Sequence, residues 1–340
     1  MRMFNKERRY PISKENEIET FKKELEYYRN YNVYNIRLFG YRIINIYKNI
    51  NVQVVISKNC NYSSPFCIEN DHTINEEIES PIGKIFDSII DQYTGQGITP
   101  SVSITGGEPT LFPERLREIY QIAIKRWGLS RVNINTNGVN PDILEEMKGI
   151  RVNLSRHHYC ETKADMIFGK KSDYVIGSNI TMQCVMMKGF IDSVAEIKKY
   201  MDFFIAMRAD GFSFRGMSKL DASKEYVREI DFSTTHAIDF FSIVNEVSND
   251  PAFEFVQQKI GDHYFYEIYK YKGKPVRFTY SNFEFLRKVE TEERKNGKSY
   301  SRATIISPSG KVYTGWTYNI NELTIPSSYH FFSGASISIA

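Results

Sequence analysis

Val102-Ser103-Ile104-Thr105-Gly106-Gly107-Glu108-Pro109 is the stretch on which the fold turns. Val102-Ser103-Ile104 has strand character and runs straight into two glycines, a carboxylate and a proline, residues that end a strand and shape a turn. Pro113 then opens an amphipathic helix with Leu116, Ile119, Tyr120 and Ala123 on one face. The same unit recurs on both sides. Upstream, Gln53-Val54-Val55-Ile56 reads as a strand, and a loop with Cys60 and Cys67 follows. Ser80 as cap and Pro81 at the first helical position predict a helix with Ile82, Ile85, Phe86, Ile89, Ile90 and Tyr93 on its buried face, stopped by Gly95 and Gly97. Downstream, strands are expected at 132–135, 152–154, 180–186 and 212–214. Helices are expected at 141–147, 194–204 and about 233–247.

Six strand–helix units in a row imply a parallel sheet with crossover helices. The expected fold is α/β, a partial (β/α)6 TIM-type barrel over residues 51–248. In such sheets, sites form at the C-terminal ends of the strands, where the unusual polar clusters of this chain lie. Residues 1–50 read as an N-terminal helical extension, with a helix over 13–31 capped by Ser13 and a strand or hairpin over 33–47. Residues 249–340 read as a C-terminal β-rich extension closing one side of the barrel. It contains hairpins around 271–274 and 307–310 and a charged run, 288–298, expected as a solvated helix or loop.

The 340 residues carry 44 Lys and Arg against 41 Asp and Glu, a net charge of +3, which argues against a protein that coats nucleic acid. With 41% apolar and 25% charged residues the chain is expected to fold. It has no apolar run long enough to span a membrane, and its basic N-terminus lacks the apolar segment of a secretory signal. A cytoplasmic location is expected. In that setting four cysteines point to metal or redox chemistry before disulfides.

The loop Cys60-Asn61-Tyr62-Ser63-Ser64-Pro65-Phe66-Cys67 resembles the cluster loop of the radical S-adenosylmethionine (SAM) superfamily, C-x3-C-x2-C after the first strand. Asn61 and Phe66 match that loop, while Ser64 stands where its middle cysteine would be. Gly106-Gly107-Glu108-Pro109 is similar to the family's GGEP motif. Asn135-Thr136-Asn137-Gly138 is similar to the corresponding segment of the molybdenum-cofactor biosynthesis protein A-like and peptide-modifying branch. The resemblance covers roughly residues 50–220. It implies a [4Fe–4S] cluster held by thiolates, with SAM on the open iron. One-electron cleavage of SAM would yield a radical that abstracts hydrogen from a substrate.

It further implies Cys60 and Cys67 as cluster ligands and Ser64 as the position of the missing third. Phe66, Gly106, Gly107, Glu108, Asn137, Ser155 and Arg156 would be cofactor-binding residues. A one-electron donor such as flavodoxin or ferredoxin would be a partner, beside a small-molecule or peptide substrate. Serine is a hard, poorly acidic donor, so a cluster on two thiolates should assemble poorly. Three explanations stand side by side: a single Cys→Ser replacement in an enzyme, a homologue that has lost redox chemistry, and an enzyme that uses Ser64 as a ligand. The alternative function is a non-catalytic radical SAM-like protein that binds a peptide, nucleotide or protein.

His157, His158 and Tyr159 follow the fourth strand and are candidates for the substrate side, with ordinary hydrogen-bonded side chains as the competing reading. Cys60, Cys67 and His72 make a poor zinc pattern. Cys160 and Cys184 read as buried thiols, and the absence of later cysteines argues for a single cluster.

Overall fold

The computed structural model describes residues 9–39, 42–48, 50–67, 81–147, 149–171, 179–218, 220, 227–298, 300–315 and 322–323. His72 and the expected cap Ser80 lie outside them.

The chain enters through α1 (Glu17–Tyr31) and the hairpin β1 (Val33–Leu38) and β2 (Arg42–Tyr47). Helix α1 starts later than Ser13, because Asn16 Oδ1 accepts the Ser13 amide at 2.9 Å and closes a turn ahead of it. The alternating unit follows as β3 (Asn51–Val55), α2 (Ile82–Thr94), β4 (Ser101–Thr105), α3 (Pro113–Trp127), β5 (Val132–Thr136) and α4 (Pro141–Glu146). It continues through β6 (Arg151–Ser155), α5 (Glu161–Phe168), β7 (Ile180–Met186), α6 (Val194–Ala206) and β8 (Gly211–Gly216). The helix expected at 233–247 is two helices, α7 (Val227–His236) and α8 (Phe240–Asn249). Asp239 divides them, its carboxylate accepting the Ser242 amide at 3.0 Å as an N-cap.

Strands β3 to β8 lie side by side in sequence order, and every pair is parallel. This is the expected partial barrel, open rather than closed on itself. Strands β3 to β7 alternate. Val52 and Val54, Val102 and Ile104, and Val132 and Ile134 are buried, and so are Phe86 and Ile89 of α2 and Leu116 and Ile119 of α3. Full burial of one such side chain contributes about 1.5–3 kcal/mol, so this layer fixes the sheet's outer face. The other phase of the same strands is polar: Asn51 and Gln53, Ser103, Asn133 and Asn135, Asn153, Gln183 and Arg215 line a cavity of 1010 Å³ on the inner face. Side-chain amides knit that face together, Asn153 donating to Asn135 at 2.9 Å and Asn133 to Ser103 at 3.1 Å.

The remaining elements are β9 (Phe253–Ile260), β10 (Tyr264–Tyr271), β11 (Lys274–Ser281), α9 (Phe283–Lys295), β12 (Tyr300–Ser301), β13 (Thr304–Ile306), β14 (Val312–Tyr313) and β15 (Glu322–Leu323). Both expected hairpins form, β10 with β11 and β13 with β14. They do not close one side of the barrel. β11 pairs parallel with β8 and β13 pairs parallel with β3, so the late strands extend the sheet at both edges.

The charged run is not simply solvated either. It belongs to α9, whose Glu290 and Glu293 are buried. Arg302 explains this: its guanidinium lies 2.5 Å from Asp262 and 3.0 Å from Glu293, and Arg29 of α1 adds a second contact to Glu293 at 2.7 Å. The Tyr47 hydroxyl donates to Asp262 at 3.0 Å. This buried charge network ties the first helix and hairpin to the last third of the chain.

Candidate functional site

The site is built where β3 and β4 end. Their parallel ladder continues past both strands: the Gly107 amide donates to Ser57 O at 2.7 Å and the Glu108 amide to Asn59 O at 2.8 Å. The Gly-Gly-Glu segment is thereby laid on the chain that leads into the cysteine loop. This contact requires the glycines. A Cβ on Gly107 would stand 2.2 Å from Asn59 O, and one on Gly106, whose φ is +147°, would stand 2.4 Å from Ser57 O. The family resemblance implies a glycine pair that lets the backbone approach the cofactor. The close approach in the structure is to the loop's own backbone.

Glu108 is 1% exposed, and its carboxylate is fully engaged. It accepts from the Thr110 amide at 3.0 Å, the Thr110 and Thr136 hydroxyls at 2.6 Å each, and the Asn137 amide at 2.6 Å. Burial pushes its carboxyl pKa up, and those donors pull against that shift. Glu108 therefore clamps the turn after β4 to the turn after β5. Asn137 passes the clamp on: its side-chain amide donates to Asn61 Oδ1 at 2.7 Å and lies 3.8 Å from Cys60 Sγ. On the opposite side, the Ser63 amide donates to Phe168 O at 3.1 Å, and Tyr62 stacks on Phe168 with centroids 4.5 Å apart. Residues 60–67 are thus held by three successive strand ends and by α5. Thr110, Thr136, Tyr62 and Phe168 are contributors that sequence reasoning missed; Thr136, Tyr62 and Phe168 act through partners distant in the chain, and Thr110 through Glu108 two residues before it.

Cys60 is exposed. Cys67 is half-buried and lines the cavity beside Phe66 and Gly106. Ser64 is half-buried, its carbonyl accepting the Cys67 amide at 3.1 Å in a tight turn. Cys184 is buried, as expected, among the apolar side chains of the outer layer. Cys160 is not a buried thiol: it is half-exposed at the start of α5, 3.4 Å from the Thr162 hydroxyl, which lowers its pKa.

At the end of β6, Ser155 pairs in register with Gln183. Arg156 is buried, its guanidinium over the Phe168 ring at 6.0 Å, its amide donating to Gln183 O and its carbonyl accepting from Tyr200. His157 meets the Phe66 ring edge-on at 4.9 Å and accepts the Val185 amide at Nδ1, so it is a neutral ring. Burial and the adjacent Arg156 lower its pKa to about 3. His158 Nδ1 accepts the Cys160 amide, and Tyr159 donates to Glu196 at 2.9 Å. His157 thus reaches the site through Phe66, whereas His158 and Tyr159 bond to α5 and α6.

The donor set can be tested against an iron–sulfur cluster. Clusters of this kind are held by thiolates. At the three ligand positions of the resembled motif the loop offers two thiols and the Ser64 hydroxyl, the other two cysteines lie elsewhere, and no described group of three His, Cys, Asp or Glu could hold a metal. The residues present do not fit a three-thiolate site.

No helix among the described residues is long and apolar enough to cross a membrane. Residues 54–178 match the model of the Radical SAM superfamily. Among solved structures, the chain is similar to native anSMEcpe with bound AdoMet and the Cp18Cys peptide, at 12% identity and a TM-score of 0.46, covering 81% of this chain and 77% of that one. It is also similar to TYW1 with a lysine-pyruvate adduct bound, at 17% identity and a TM-score of 0.39, covering 62% and 76%. No curated protein matches it. Over residues 54–178, then, the family that this chain is similar to is the radical SAM superfamily.

Proposed function

We propose that this chain is a radical SAM protein with a built SAM-binding site and a cluster loop one thiolate short at Ser64. The cofactors of the family are SAM and a [4Fe–4S] cluster, and the cluster supplies the electron that cleaves SAM. Gly106, Gly107, Glu108 and Asn137 act by fixing the loop. Phe66 is the apolar surface for the adenine, and Ser155 and Arg156 are the polar groups next along the strand ends. Cys60 and Cys67 are the two soft ligands.

The observation that carries this reading is the backbone ladder from Gly107 and Glu108 onto Ser57 and Asn59. Together with the Glu108 clamp, it keeps the loop at the mouth of a polar cavity large enough for SAM and a second molecule. A scaffold this complete around an incomplete donor set points to an enzyme architecture impaired at one ligand, with a flavodoxin or ferredoxin as the electron donor of the complete form. The donor set also favours a second reading, a protein that binds SAM and a partner molecule without radical chemistry.

Anaerobic reconstitution with iron and sulfide, followed by iron counting and SAM titration, tests the proposal on the chain and on Ser64→Cys. Both forms should bind SAM, and only Ser64→Cys should hold about four irons per chain. Equal, substoichiometric iron in both forms would favour the second reading. Failure of both to bind SAM would remove the proposal.

A further inference from the structure

Among the described residues, three arginines on the inner wall of the cavity have no carboxylate paired with them. Arg151 opens β6, Arg215 is the penultimate residue of β8, and Arg277 lies within β11; all three line the cavity. The β8–β11 register sets Ser213 beside Arg277 and Arg215 beside Thr279, so the two arginines are one inward-facing step apart on adjoining strands. Among the described residues none of the three forms an ion pair. Arg9, Arg29 and Arg302, by contrast, each hold a buried glutamate.

Like charge accumulates here. Burial and Arg151 depress the pKa of Arg277, burial and Arg277 depress that of Arg215, and burial and Arg277 depress that of nearby Lys259. Two carboxylates stand among the described lining residues, and no ion pair between described residues joins either to these arginines. Asp210 accepts the Asn179 and Ile180 amides and lies 3.6 Å from Lys274, and Glu229 is buried on α7. His263 also lines the cavity, and the Tyr266 ring lies 5.1 Å from the Arg277 guanidinium. Beside Arg215, the buried Thr279 hydroxyl has no hydrogen-bond partner among the described residues.

A fold that sets three guanidinium groups together on one cavity wall, each still open to solvent, has charge to be neutralised by something that enters. Guanidinium forks suit oxyanions with two or more oxygens, and a free hydroxyl beside them supplies a further donor. We propose that the Arg151–Arg215–Arg277 wall binds the oxyanion end of a small substrate, a phosphoryl or polycarboxylate group, leaving its other end toward Cys67 and Gly106. That this ligand is a substrate rests on the function proposed above. The anion site itself does not.

The test is calorimetric titration of the full chain, without iron or SAM, with inorganic pyrophosphate and with citrate, repeated on Arg215→Gln, Arg277→Gln and the double variant. Saturable binding is expected for at least one probe, weakened about tenfold or more in each single variant and lost in the double. Preference for pyrophosphate assigns a phosphoryl group, and preference for citrate a polycarboxylate. The unliganded Arg277→Gln protein should also unfold at higher temperature than the parent, because like-charge repulsion is relieved, whereas a structural arginine would leave it less stable. Absence of saturable binding, or equal binding by the double variant, would overturn the proposal. Because the assay contains neither SAM nor iron, its failure is separate from failure of the radical SAM reading.

Discussion

Replacing Gly107 by alanine adds one methyl group at the point where the fold is least able to take it. The new Cβ would stand 2.2 Å from Asn59 O and 2.5 Å from Lys58 O, both backbone atoms, whereas ordinary contact begins at 3.4 Å. The loop backbone must retreat by about 1 Å, beyond what a well-packed site absorbs without cost. That movement breaks the hydrogen bonds that the Gly107 amide donates to Ser57 O and the Glu108 amide to Asn59 O. Two lost hydrogen bonds and the overpacking together give a destabilisation of about 2–6 kcal/mol. Gly97→Ala is the control. Nothing lies within 4 Å of its Cβ, and its φ of +77° leaves only left-handed strain, about 1–2 kcal/mol. Urea unfolding with a common m-value measures both. Alkylation of Cys60 and Cys67 reports on the loop, and Gly107→Ala should speed it while Gly97→Ala leaves it unchanged. Equal stability of the two variants, with unchanged thiol reactivity in Gly107→Ala, would refute the claim that the glycine pair serves the loop.

Acid should weaken the fold through His157. Its folded pKa of about 3 lies below the ordinary 6.5, so the unfolded chain takes up the proton first. The stability it contributes is complete above pH 6.5 and declines as pH falls toward 3. Between pH 8 and pH 5 the loss is about 2 kcal/mol, and unfolding of His157→Gln should show a flatter pH dependence over that window. Asp262, whose pKa is depressed by Arg302 and His263, acts only at lower pH and does not confuse the measurement. Arg302→Met leaves Asp262 and Glu293 buried without their main counter-charge and should cost about 3–5 kcal/mol in denaturant unfolding. Adding Asp262→Asn to Arg302→Met should recover part of that loss, and strict additivity of the two changes would show that they are not partners.

The strand order was legible because each strand is a short apolar run bounded by glycine, proline or asparagine, and because parallel units follow one another without interruption. The same strands carried a second message. Asn51-Val52-Gln53-Val54 and Val132-Asn133-Ile134-Asn135 alternate, whereas a parallel strand buried on both faces would be apolar throughout. That alternation marks the polar concave face and its three arginines, and it was the available signal for the anion wall. The Gly-Gly-Glu and cysteine segments were legible as motifs, but the role of Glu108 was not, because three of its four hydrogen-bond donors belong to Thr136, Asn137 and the Thr110 side chain, which only the fold brings together. The burial of Glu290 and Glu293 was equally hidden. A charged run reads as solvated until Arg302 and Arg29, from elsewhere in the chain, are placed against it.

The central claim is that a single side chain, Ser64, separates this chain from radical chemistry. The most direct measurement is formation of 5′-deoxyadenosine under anaerobic conditions, with SAM and a strong reductant, by the reconstituted chain and its Ser64→Cys variant. The account predicts turnover by the cysteine form and little or none by the serine form. Equal turnover by both would contradict it by showing that two thiolates suffice, and no product from either would contradict it by removing radical cleavage of SAM from this scaffold.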